Sequence, residues 1–150
     1  MALTDDVYYL DTSALVKRYV SEPGSGEVDD IFSRCYRGLS KISFSYWNIA
    51  EASVVFDKYG MRLGLNTRKL MLNLLREVKT LTKLRRLMIV EVSPRVLRET
   101  IKFILKYHIY VADAIQIASA IKVGSRIFVT GDKDLARVAE AEKLEVIYIG

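Results

Sequence analysis

Five short runs of strand-forming residues punctuate the chain at nearly regular intervals: VYYLD (7–11), KISFS (41–45), LMIVEVS (87–93), RIFVT (126–130) and EVIYI (145–149). The first is continuously apolar and ends on an acid, as in a strand buried on both faces. Between the runs lie stretches with helical spacing. Thr12 or Ser13 is set to cap the one after the first strand. A second helix begins near Ser25 and stops at Gly38. YWNIAEASVVFDKYG is a helix closed by Gly60, and a basic helix fills roughly 66–83. Ser93 and Pro94 occupy the cap and first position of the next, both favoured there. YVADAIQIASAIKVG ends at Gly124, and DKDLARVAEAEKL precedes the last strand. Strands alternating with helices predict an α/β fold: a mostly parallel sheet covered on both faces in three α/β/α layers. Residues 1–150 carry no repeats or linkers and are expected to form a single domain.

Composition narrows the chemistry. The chain has one cysteine, Cys35, and one histidine, His108, so no site is built from several thiolates or imidazoles. A single cysteine fits a reducing compartment, and cytoplasmic residence is expected. No apolar run approaches the roughly 20 residues of a membrane span, and the acidic opening MALTDDVYYLD is unlike a signal peptide. Residues 62–86 hold eight Lys/Arg and one Glu, leaving the remainder at −2 of the total +5. Such a band suits a polyanion, or is simply a solvated helix face.

The carboxylates are placed unusually. In open sheets of this kind ligands bind beyond the carboxyl ends of the strands. Asp11 lies at that end of the first strand, and Asp132 and Asp134 lie just past the fourth. Glu51 is the only charge between Lys41 and Asp57, and Asp113 the only one between Lys106 and Lys122. An ionised carboxylate in apolar surroundings costs several kcal/mol unless it is compensated. Each acid alone has an ordinary explanation: Asp113 as a first-turn helix acid, Glu51 on a solvent face, GDKD as a turn and cap. Their joint occurrence on one small α/β chain is harder to explain that way.

Four segments, YLDTSALVKRYVSEPGS, the Glu of NIAEA, ADAIQIASA and FVTGDKDLA, resemble in order and spacing the motifs of PIN-domain ribonucleases, especially the VapC-like toxins of toxin–antitoxin pairs. The resemblance runs from about residue 7 to the end. It implies Asp11, Glu51, Asp113 and Asp132 as the acids, with Ser13 and Thr130 as the hydroxyl positions. Asp134 falls where members often, though not uniformly, carry another acid. The implied sheet is five-stranded and parallel, in the order 3-2-1-4-5, so that strands one and four are neighbours. A small antitoxin and a homodimer are implied as partners.

An all-oxygen donor set points to Mg²⁺ or Mn²⁺. The expected reaction is metal-assisted hydrolysis of an RNA phosphodiester. Asp11 and Asp113 would ligate, Glu51, Asp132 and Asp134 would support, and Ser13 and Thr130 would hold a water or a phosphate oxygen. Lys133 is expected to face outward. RNA would be held by the basic band with Lys17 and Arg18.

Three other constellations fall short. DTSA is no nucleophile elbow, GSG lacks the setting and lysine of a phosphate loop, and a phosphoryl-receiver domain needs an aspartate where the third strand reads EVSPR. Tyr8, Tyr9 and Tyr148 are assigned to packing. A non-catalytic RNA-binding or protein-interaction module on the same scaffold is the alternative function.

Overall fold

The computed structural model describes residues 5–150; the opening residues 1–4, included in the signal-peptide reading, lie outside it. Five strands, β1 (Asp6–Leu10), β2 (Ser40–Ser45), β3 (Leu87–Val90), β4 (Ile127–Thr130) and β5 (Glu145–Tyr148), form one sheet in the order β3-β2-β1-β4-β5. Every pairing is parallel. The central β1 is therefore bonded to β2 on one side and β4 on the other, and its last residue, Leu10, is in register with Val129.

Alternation along the strands splits the interior into two cores. Leu10, Ile42, Phe44, Ile127 and Val129 face one side, under α1 (Thr12–Leu15), α2 (Ser25–Tyr36), α3 (Tyr46–Leu63) and α4 (Thr67–Lys83). Tyr9, Val90 and Phe128 face the other, under α5 (Pro94–Tyr107), α6 (Val111–Val123) and α7 (Lys133–Ala141). Across the β1–β4 seam the Tyr9 and Phe128 rings stack with centroids 5.5 Å apart. No helix among the described residues is long and apolar enough to cross a membrane.

Several local expectations change. The cap of α1 is Asp11, not Thr12 or Ser13: its carboxylate accepts the Ala14 N–H. That helix stops after four residues and tightens into a 3₁₀ turn at Val16–Arg18. Gly60 does not end α3, which continues to Leu63 and is closed by Gly64 at φ +69°. Gly60 serves packing instead: a Cβ there would lie 2.1 Å from Thr67 Oγ1 at the start of α4. The third strand ends at Val90, short of Ser93. Ser93 and Pro94 cap and open α5 as expected, and His108 closes it in the left-handed region at φ +57°.

Candidate active site

Because β1 and β4 are neighbours, their carboxyl ends deliver Asp11 and Thr130 to one place. Asp11 is buried, and both of its oxygens are engaged. Oδ1 accepts Ser13 Oγ–H at 2.7 Å and the Ala14 N–H at 2.9 Å, and Oδ2 accepts Thr130 Oγ1–H at 2.5 Å. The hydroxyls are held in turn, since Gly131 N–H donates to Ser13 Oγ and Asp132 N–H to Thr130 Oγ1. Gly131 brings the loop against that wall: a Cβ there would meet Lys17 Cε at 3.3 Å and Ser13 Oγ at 3.4 Å.

The remaining acids approach from three helices. Glu51, half-buried on α3, accepts Thr12 Oγ1–H at 2.6 Å. Asp113, half-buried, lies in the first turn of α6. Asp132 caps α7, its Oδ1 taking the N–H groups of Asp134 and Leu135. The opening turn of α7, TGDKD, is thus both a helix start and one wall of the acidic site.

Electrostatics couples these groups. Burial pushes the Asp11 carboxyl up to about 6 against the bonds from Thr130, Ser13 and Ala14, and the Asp132 charge adds to the rise. Burial likewise raises Asp113, followed by repulsion from Asp132 and then Glu51. Asp132 thus acts on both, so the four acids share one field. Among the described residues, however, no three carboxylates stand close enough to form a ready-made metal cage. The donor chemistry still fits a hard divalent cation: all ligands are oxygen, they repel one another, and burial penalises their charge. Asp132 is the acid whose charge reaches both Asp11 and Asp113, and Glu51 acts on Asp113 as well.

Two groups in the sequence reading are engaged by other partners. The Asp134 side chain is 90% exposed and pairs with Arg137 at 3.6 Å, and Lys133 is exposed beside it. Lys17 donates to the Pro23 carbonyl and pairs with Glu22. Arg18 forms a two-pronged pair with Glu77 at 3.0 Å, reaches Asp29, and lies over the Phe32 ring. Neither cation is free for phosphate. The basic surface is instead the exposed part of the band: Arg62, Arg68, Lys69, Arg76, Lys79, Lys83 and Arg85.

Sequence reasoning passed over a buried polar group beneath the acids. Tyr9 Oη–H donates to Gln116 Oε1 at 2.9 Å, and Asn48 Nδ2 donates to the same oxygen at 2.9 Å and to the Leu10 carbonyl at 3.1 Å. The available signal was an amide set in the apolar stretch of each of two helices, three residues from the candidate acid.

Comparison with known proteins bears on this geometry. The family model described as PIN domain matches residues 8–141. No curated protein matches the sequence. Among solved structures, VapBC2 from Rickettsia felis bound to a promoter DNA fragment matches at 17% identity and a TM-score of 0.65, covering 96% of this chain and 99% of the other. VapC20 of Mycobacterium tuberculosis, a sarcin-ricin-loop-cleaving toxin, matches at 13% identity and TM-score 0.61 over 87% and 93%. FitAcB from Neisseria gonorrhoeae matches at 17% and 0.60 over 93% and 96%. At such identities the structural matches speak for the fold.

Proposed function

The chain belongs to the PIN-domain family, and on that premise we propose that it is a metal-dependent endoribonuclease acting as the toxin of a VapBC-type pair. The observation that supports this reading is that Asp132, past the carboxyl end of β4, acts by its charge on both Asp11 and Asp113, with Glu51 acting on Asp113. Structural neighbours include a toxin–antitoxin complex, and one is named as a sarcin-ricin-loop-cleaving toxin.

When bound, Mg²⁺ or Mn²⁺ supplies Lewis acidity toward water and phosphate oxygen and offsets the carboxylate charge. The chain's residues do the rest. Asp11, fixed by Ser13, Thr130 and the Ala14 N–H, presents a rigid carboxylate. Asp113, without a hydrogen-bond partner among the described residues, is free to turn toward a ligand. Glu51 and Asp132 keep the site negative and orient water. In the hydrolysis, water oxygen bonds to phosphorus and gives up a proton, the bond from phosphorus to a ribose oxygen of the departing strand breaks, and that oxygen takes up a proton. Thr130 and Ser13 stand where hydroxyls can order a water or a phosphate oxygen. Asp134, exposed and paired with Arg137, is assigned an outer role.

An acidic site repels RNA, so affinity is assigned to the basic band on α3, α4 and the turn after α4. Two protein partners complete the reading. A groove of about 350 Å³ lined by Val55, Tyr59 and Leu63 and rimmed by Lys58 and Arg62 suits the carboxy-terminal segment of a small antitoxin. Exposed Val54 and Met61 on the same helix suit a second copy of the chain. The reducing cytoplasm is the proposed location.

One observation favours the non-catalytic module: the lack of a preformed cage among the described residues. An RNase assay with Mn²⁺ or Mg²⁺, with and without chelator, separates the two. Cleavage lost with chelator and in both Asp11→Asn and Asp113→Asn supports the nuclease. Cleavage surviving both substitutions comes from a contaminant and favours the module.

A further inference from the structure

The three elements that carry Glu51, Asp113 and Asp11 are tied together one layer beneath those acids. Asn48 precedes Glu51 by three residues on α3, and Gln116 follows Asp113 by three on α6. That spacing puts each amide on the same side of its helix as its acid, about one turn away. Tyr9 and Leu10 directly precede Asp11 on β1.

Asn48 uses its amide in all directions. Its Oδ1 accepts the Ser45 N–H at 2.9 Å, closing the start of α3, while Nδ2 reaches both Leu10 O and Gln116 Oε1. Gln116 Oε1 also accepts from Tyr9 Oη. Tyr9 and Asn48 are fully buried and Gln116 is 2% exposed, so water cannot replace these bonds. The arrangement is costly, because Gln116 Nε2 lacks a partner among the described residues. Apolar residues would fill the space without that cost. They would also let α3 and α6 slide or rotate against β1, since dispersion contacts have no direction.

We infer that Asn48, Gln116 and Tyr9 are positioning residues that lock α3 and α6 to the end of β1 and thereby set the separations among Asp11, Glu51 and Asp113. The inference rests on the reading of those acids as the cation-binding centre. The amides touch neither cation nor RNA and act only through the elements they hold. A network of this kind supports the ligands as outer partners do in metal sites.

The test measures Mn²⁺ affinity from the free-ion electron paramagnetic resonance signal in the full-length protein, without RNA. Gln116→Met keeps the side-chain volume and removes the bonds; it is expected to weaken binding at least tenfold with the circular-dichroism spectrum unchanged. Val96→Ala, a cavity in the α5–α6 core at a side chain that takes no part in the hydrogen-bond network, is expected to stay within twofold of wild type. Wild-type affinity in Gln116→Met overturns the inference, as does an equal loss in Val96→Ala. Should Gln116→Met not fold, Tyr9→Phe carries the test, a threefold loss supporting the inference and unchanged affinity overturning it. A wild-type protein that binds no Mn²⁺ removes the nuclease reading itself, and the positioning role with it.

Discussion

Thr130 Oγ1 donates to Asp11 Oδ2 at 2.5 Å across the β1–β4 seam, and that bond still leaves the Asp11 carboxyl raised to about 6 by burial. The folded state therefore holds a proton that the unfolded chain releases. Between roughly pH 4 and pH 6 stability falls as pH rises, and the loss is complete above the folded value. With chelator present, Asp11→Asn escapes this penalty, which is on the order of 2–3 kcal/mol. Thermal denaturation is expected to show the variant about 5 °C more stable at neutral pH and equal to wild type near pH 4. Equal melting temperatures at neutral pH would contradict the buried-charge account.

Proton competition gives a second prediction. A carboxyl must be deprotonated to hold a metal. Mn²⁺ affinity is expected to climb about tenfold per pH unit below pH 6 and to level off above it, if one proton dominates. Calorimetric titration at several pH values reads this directly, and a flat profile would dissociate Asp11 from binding.

Glu77 is the one acid of the basic band, and its carboxylate collects both prongs of Arg18 with the hydroxyls of Tyr19 and Tyr36. Arg18 holds its carboxyl below the usual range despite its burial, with Tyr36 and Tyr19 adding to the effect. Glu77→Ala leaves the guanidinium and two phenols without that acceptor. A loss of about 1.5–3 kcal/mol in urea denaturation is expected. Metal affinity should hardly change, because the cluster lies on the α2–α4 side, away from the acids.

Gly60→Ala tests the packing of the α3–α4 hairpin. In an exposed helix that change gains about 1 kcal/mol. Here the new methyl meets Thr67 Oγ1, which donates to the Phe56 carbonyl, so a net loss of about 1–2 kcal/mol is expected. Thr67→Ala in the Gly60→Ala background should recover part of it. Stabilisation by Gly60→Ala alone would refute the close approach.

Lys69→Ala with Lys79→Ala probes the exposed band. RNA binding should weaken, with the slope of log affinity against log salt shrinking by about 0.7 per lost contact. Single-turnover cleavage at saturating RNA should be unchanged. An unaltered slope would place the RNA elsewhere.

The strands were legible because each is a short apolar run between polar breaks. Their order was less so, and it entered through the family resemblance rather than from periodicity. Gly60 misled because a glycine in a helical stretch reads as a stop, while its actual function is a tertiary approach that only Thr67 reveals. Lys17 and Arg18 misled similarly: next to Asp11 in sequence, they are consumed by Pro23, Glu22, Glu77 and Asp29. Lone charges in apolar surroundings made Glu51 and Asp113 visible. Asn48 and Gln116 carry no charge, and the partners that join them to β1 and to each other are 38 to 107 residues distant in sequence, so the local pattern offered only two amides in apolar stretches and not the network they form.

The account depends on Asp11 and Asp113 sharing a cation. A crystal structure grown with Mn²⁺ and measured at the manganese absorption edge tests that directly. It should show an anomalous peak with carboxylate oxygens of both residues roughly 2 Å away. No peak in the acidic site, or a manganese ion bound only elsewhere on the molecule, would contradict it.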